Sequence, residues 1–174
     1  LYVANFISVV LFFSFLLKER YSGFLFSSGN PQSIAAIISQ SVGLILIFTI
    51  VNWSICTLLN GNGTAKKIWI VSNYSAIPLI LSNFLILAAT NYFTLNESIF
   101  ISYIGVIGYT YTGFLLIKGL ETIHEYTFKK SVLSIIYTGI GMILLGVLLI
   151  ILFSLIQQIV AFVITILREI DLRS

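Results

Sequence analysis

Long apolar runs separated by short polar breaks divide this chain into segments of membrane-spanning length. Leu1 to Leu17 is apolar throughout and stops at Lys18-Glu19-Arg20. At 1.5 Å per residue it rises about 26 Å, slightly short of a hydrocarbon core of about 30 Å. It predicts a first spanning helix whose start is missing. Tyr21 to Ser33 is a loop rich in Ser, Gly and Asn, and its Tyr21, Phe24 and Phe26 suit the membrane interface. Asn30-Pro31 offers a cap and a first-turn proline for a second helix from about Gln32 to Leu59. A third is predicted from about Lys67 to Phe93, with Pro78 near its middle. The proline frees the carbonyl of Tyr74 and predicts a kink. Ser72, Ser75 and Ser82 fall on its stripe, where small hydroxyl residues favour close helix contact. Thr94-Leu95-Asn96-Glu97 fits the capping box and starts a fourth helix, predicted to end near Lys118, with Gly105, Gly108 and Thr112 as a small-residue face.

From Val132 to Leu167 no charge interrupts the chain. As one helix this stretch would be about 54 Å long, well beyond a bilayer core. Its character changes at Ser154. Beyond it, Ser154, Gln157, Gln158, Ala161, Thr165, Arg168 and Glu169 share one face at helical spacing, against Leu155, Ile156, Ile159 and Val160. Interfacial helices usually carry Lys or Arg along the polar face, whereas an uncharged stripe suits contact between helices. Gln157, Gln158 and Thr165 are therefore expected to face protein, either in this chain or in a partner. The pattern as a whole predicts an all-α, integral membrane bundle of about five transmembrane helices with an extended amphipathic C-terminal helix. Residues 1–174 read as one such domain with an incomplete N-terminus.

The most informative polar break is Asn52 to Trp69, NWSICTLLNGNGTAKKIW. Gly61 and Gly63 are expected to end the preceding helix by taking positive φ. Thr64 can cap the next helix, and Lys66 and Lys67 place paired positive charge at that boundary. Trp53 and Trp69 flank the turn, as amphipathic rings do at headgroup level.

Composition strengthens the membrane reading. The chain is 59% hydrophobic and 9% charged, and its mean hydropathy is +1.08, far from a soluble domain. A net charge of +3, dispersed along the sequence, gives no nucleic-acid footprint. Cys56 is the only cysteine, so no internal disulfide forms. With five spans, the 60–67 and 118–130 loops share one side and hold Lys66, Lys67, Lys118, Lys129 and Lys130. The other side holds Lys18, Arg20, Arg168 and Arg173. The bias predicts a cytoplasmic Lys66–Lys67 loop.

Chemical motifs are weak by comparison. Glu121 and His124 form an E-x-x-H pair, but a di-iron site needs further inward carboxylates and the spans contain none. His124-Glu125 begins H-E-x-x-H, yet Phe128 stands where the second histidine belongs. A solvated juxtamembrane loop is the expected setting of both residues. Gly61-Asn62-Gly63-Thr64 lacks P-loop spacing and reads as a capped turn. No charged side chain lies well inside a span, which disfavours a lone pump or channel. Asn52, Asn73 and Asn83 are the strongest intramembrane polar groups, and a structural hydrogen bond explains each at least as well as a substrate site. No catalytic residue, cofactor site or metal site is expected, and no enzymatic activity.

Taken together, Asn52-Trp53, Leu58-Leu59-Asn60-Gly61-Asn62-Gly63 and Lys66-Lys67 resemble the signature turn of the Yip domain family, the Ypt/Rab-interacting proteins. Ser75-Ala76-Ile77-Pro78 and Ile123-His124-Glu125-Tyr126 are similar to the pattern of its bacterial branch. The resemblance covers roughly Gln40 to Arg173 and implies a five-helix, multi-pass membrane protein with a cytosolic N-terminus. Eukaryotic relatives bind prenylated small GTPases in vesicle traffic, through motifs in a segment before the first helix that this sequence does not contain. Bacterial relatives resemble accessory membrane subunits, some associated with carbohydrate ABC importers. The expected function is an accessory or scaffold subunit in a bacterial cell membrane, with the lipid bilayer and other integral subunits such as ABC transporter permeases as partners and no nucleic acid. The alternatives are a small-solute or lipid-handling transporter hinged at Pro78, or a GTPase-linked trafficking factor.

Overall fold

The computed structural model describes residues 1–21, 32–94 and 97–173, and their side chains apart from those of 167 and 170–173. Among these residues seven α-helices follow in order: α1 Tyr2–Tyr21, α2 Ile34–Ile38, α3 Leu44–Leu58, α4 Ala65–Ser75, α5 Ile77–Ala89, α6 Ser98–His124 and α7 Phe128–Arg173. A π-helical turn, Ser39–Gly43, joins α2 to α3. These group into five stretches long and apolar enough to cross a membrane: Tyr2–Tyr21, Ile34–Leu58, Ala65–Ala89, Ser98–His124 and Phe128–Ile166. The chain is thus an all-helical, multi-pass membrane protein, and no strand occurs among the described residues.

Two compact units divide it, Leu1–Thr138 and Gly139–Ser174. In the first, α1 packs on α4 and α5, α3 on α4, and α6 on both α4 and α5. Leu11, Ala76 and Leu79 form one apolar cluster, and Ile86, Ala89 and Ile101 another. Hydrogen bonds set the register of α1 against α4 and α5. Trp69 Nε1 donates to Asn5 Oδ1 at 3.0 Å, Ser8 Oγ donates to Asn73 Oδ1, and Asn83 Nδ2 donates to Ser14 Oγ at 3.2 Å. The partners advance together, so α1 runs parallel to α4 and α5. Asn73 and Asn83 are buried, each a structural amide joining two spans, worth on the order of 1 kcal/mol per bond in a membrane setting.

Several boundaries differ from the sequence expectation. The first helix continues past Leu17 to Tyr21, because Lys18 Nζ donates to Asn83 Oδ1 at 3.3 Å instead of ending the span. Ser33, which accepts from the Ala36 amide at 3.2 Å, caps α2; the expected Asn30-Pro31 start lies outside the described residues. Pro78 does interrupt its span: α4 stops at Ser75 and α5 begins at Ile77, with Pro78 in its first turn. The fourth span runs to His124 and not to Lys118. At its start Glu97 Oε2 accepts from the amide and hydroxyl of Thr94, at 2.9 and 3.0 Å. These bonds hold the Glu97 carboxyl below its usual range, while Leu95 and Asn96 lie outside the described residues. The change of character at Ser154 falls inside α7, so the polar stripe and the spanning part belong to one continuous helix.

Two glycines on α6 mark close approaches. A Cβ on Gly108 would stand 2.1 Å from Ser82 Oγ, and one on Gly119 would stand 2.3 Å from Val71 Cγ1. Gly108 belongs to the expected small-residue face. Gly105 makes only ordinary contact, with Ile86 Cδ1 at 3.6 Å.

Candidate functional site

The turn after α3 and the turn after α6 end their helices in the same way, and they meet. In each, one residue takes the left-handed conformation, Asn60 at φ 55 and Glu125 at φ 56. The following amide reaches back five residues, Gly61 to Cys56 O at 2.8 Å and Tyr126 to Glu121 O at 3.1 Å. This is the Schellman closure, normally built on glycine at the left-handed position. No glycine among the described residues has positive φ, which corrects the expectation for Gly61 and Gly63. Asparagine tolerates the left-handed region through its short polar side chain. Glu125 is held there while its Oε2 accepts from Asn62 Nδ2 at 3.1 Å.

The glycines are needed for space. A Cβ on Gly61 would lie 2.4 Å from Tyr126 Oη and 2.5 Å from His124 Nδ1, and one on Gly63 would lie 2.5 Å from His124 Cε1. The two rings stack, with centroids 5.1 Å apart and planes 18° from parallel. His124 Nδ1 accepts from the Gly63 amide at 3.2 Å. Tyr126 Oη donates to the carbonyls of Cys56 and Leu59, both at 3.3 Å. These carbonyls belong to the last turn of α3, whose end the tyrosine therefore caps. Burial pushes the Tyr126 hydroxyl up from 10.0 to about 12, with further contributions from Cys56. Lys130 Nζ lies 4.2 Å from the Tyr126 ring centroid, a cation–π contact that covers its outer face.

His124 is 2% exposed, so the expected solvated loop is wrong at that residue. The reason is that α6 runs to His124 and delivers it onto the glycine turn. Because Nδ1 is an acceptor, the proton of the neutral ring sits on Nε2, which has no hydrogen-bond partner among the described residues. Glu121 pairs with Lys118 at 2.9 Å. Among the described residues no three His, Cys, Asp or Glu side chains come together as metal ligands.

Beneath the turn, the start of α7 closes on α3. Asn52 Nδ2 donates to Thr138 Oγ1 at 2.8 Å and to Ser134 Oγ at 3.4 Å. Cys56 Sγ lies 3.0 Å from Ser134 Oγ. Asn52, Cys56, Ser134 and Thr138 are all fully buried. Asn52 and His124 stand out in the sequence, but the partners Ser134 and Thr138 and the packing of His124 and Tyr126 on the turn do not. A signal existed, because Ser131, Ser134 and Thr138 repeat at three- and four-residue spacing on α7.

The residues expected to matter fall into separate places. Gly61 and Gly63 form the floor of the site, and Thr64 caps α4 by accepting from the Lys67 amide at 3.4 Å. Lys66 and Lys67 are exposed on its first turn. Trp53 is 46% exposed, while Trp69 bonds to α1. Pro78 lies away from the turn, in an apolar groove of about 460 Å³ lined also by Leu81, Leu85, Ile104, Ile107 and Tyr111. In the second unit Gln157, Gln158 and Thr165 are exposed, and Thr165 Oγ1 donates to Ala161 O at 2.9 Å.

The site is therefore a polar lock, joining the loops at one end of the first unit through side chains packed on glycine backbone. What it offers is hydrogen bonds and packing between the loops. No curated protein and no solved structure matches the chain. A family model does match, over residues 1–151, a range that includes the turn, the His124 and Tyr126 side chains packed on it and the Asn52 cluster. The chain belongs to the Yip1 domain family of multi-pass membrane proteins.

Proposed function

We propose that this protein is a non-enzymatic accessory or scaffold subunit that works by packing against other integral membrane proteins. One observation carries the reading. Within the Gly139–Ser174 unit, every residue from Val147 to Ile166 is exposed, and the Gln157 and Gln158 side chains have no hydrogen-bond partner among the described residues. The apolar stretch Phe128–Ile166 has 39 residues, a helical contour of about 58 Å against a core of about 30 Å. Amides on such a stretch are stabilised when another helix supplies partners. A permease of a carbohydrate ABC importer in a bacterial cell membrane is the partner that the resemblance to bacterial relatives favours.

Affinity purification in mild detergent tests this. The expected result is a membrane subunit recovered in stoichiometric amount, reduced severalfold when Gln157 and Gln158 are both changed to Leu, with membrane insertion unchanged. Recovery of the protein alone, with or without the substitutions, refutes it.

A second reading has its own observation. The break at Ala76 and the apolar groove beside Pro78 fit a hinge that handles a lipid or small apolar solute. It predicts that the protein alone moves such a molecule in liposomes and that Pro78→Ala slows the movement.

A further inference from the structure

The lock at the α3–α4 and α6–α7 turns gathers more than the residues it buries. Bonds between Gly63 and His124, and between Tyr126 and the end of α3, place the two loops side by side. Lys66 and Lys67 follow Gly63 within four residues, and Lys129 and Lys130 follow Tyr126 within four. Lys118 lies less than two turns before His124. Lys66, Lys67, Lys118 and Lys129 are exposed, and Lys130 is half-buried against Tyr126.

The acidic groups nearby are already engaged. Glu121 pairs with Lys118, and Glu125 accepts from Asn62. This end thus carries five lysines against two glutamates, whereas the loops at the other end of the first four spans carry Lys18 and Arg20 against Glu19 and Glu97. Lys66, Lys67, Lys129 and Lys130 stand in the first turns of apolar spans, Ala65–Ala89 and Phe128–Ile166. Lysines in the end turns of a span bring their ammonium groups towards lipid phosphates when that span crosses a bilayer.

We propose that the locked loops form a binding surface for anionic phospholipid headgroups, with Lys66, Lys67 and Lys129 contacting the phosphate. Clusters of four or more lysines beside a span attract anionic lipid, each contributing on the order of fivefold in affinity near the surface. The lock makes the surface one patch, because without it the two lysine pairs belong to separate loops. Lys130 is already turned onto the Tyr126 ring and serves the lock more than the lipid.

Native mass spectrometry of the full chain in neutral detergent tests the assignment, with phosphatidylglycerol or phosphatidylcholine of identical acyl chains added. The expected result is retention of phosphatidylglycerol at least about tenfold over phosphatidylcholine, cut to within about fivefold in K66Q/K67Q and kept in K66R/K67R. Should the glutamine variant fail to fold, wild-type protein at low and high ammonium acetate gives the second measurement. Salt should then release phosphatidylglycerol and leave phosphatidylcholine unaffected. Equal retention of the two lipids, or retention unchanged by K66Q/K67Q or by salt, overturns the proposal. Displacement of the lipid by an equal concentration of soluble glycerol phosphate also overturns it, by making the site one for free anions.

Discussion

Substituting Gly63 by alanine isolates the packing of the lock. A methyl group there stands 2.5 Å from His124 Cε1 and 2.8 Å from each ring nitrogen, where carbon contacts settle at about 3.5–4.0 Å. The imidazole must retreat by about 1 Å. That movement stretches the 3.2 Å bond from the Gly63 amide to Nδ1 beyond useful range. Overpacking of this kind costs about 1–3 kcal/mol, and a lost hydrogen bond about 1 kcal/mol. Gly63→Ala is expected to destabilise the protein by about 2–4 kcal/mol. Gly113→Ala is the control. Gly113 lies within α6, and a methyl group added there would meet nothing within 4 Å, so alanine should stabilise by about 0.5–1 kcal/mol. Unfolding by SDS in mixed micelles, followed by the fluorescence of Trp53 and Trp69, measures both. In a His124→Ala background the cost of Gly63→Ala should fall by at least about 1 kcal/mol, the coupling expected of residues in direct contact. If Gly63→Ala unfolds like Gly113→Ala, or if the two effects simply add, the reasoning fails.

Two further outcomes follow from the same geometry. Tyr126, raised from 10.0 to about 12, stabilises the fold while it stays protonated; the contribution is fully present below about pH 10 and is lost as pH rises through about 12. Unfolding curves of wild type and Tyr126→Phe should therefore differ by a constant amount up to about pH 9 and converge above it, and a constant difference to pH 12 would contradict the buried hydroxyl. Cysteines introduced at Asn62 and Tyr92, which lie at opposite ends of the α4–α5 span, should react with impermeant reagent from opposite sides of the membrane, and labelling from one side would overturn the five-span topology.

The sequence alone determined the spans, because a helix must be apolar for about 20 residues to cross lipid and that requirement is written residue by residue. The interruption at Pro78 was legible for the same local reason, since a missing amide donor acts within its own helix. So was the cap at Thr64. The role of the glycine turn was not. Gly61 and Gly63 looked like residues chosen for positive φ, whereas Asn60 takes that conformation and the glycines make room for His124 and Tyr126 from some 60 residues away. His124 looked solvated because it ends an apolar run next to charged residues, and only the packing of α6 buries it. Likewise Asn52 announced a hydrogen bond but not its partners, Ser134 and Thr138, more than 80 residues along the chain. Helical periodicity reports which face of a helix is special. Which other helix meets that face is decided by long-range contact, and in this protein that contact turns two polar loops into one lock.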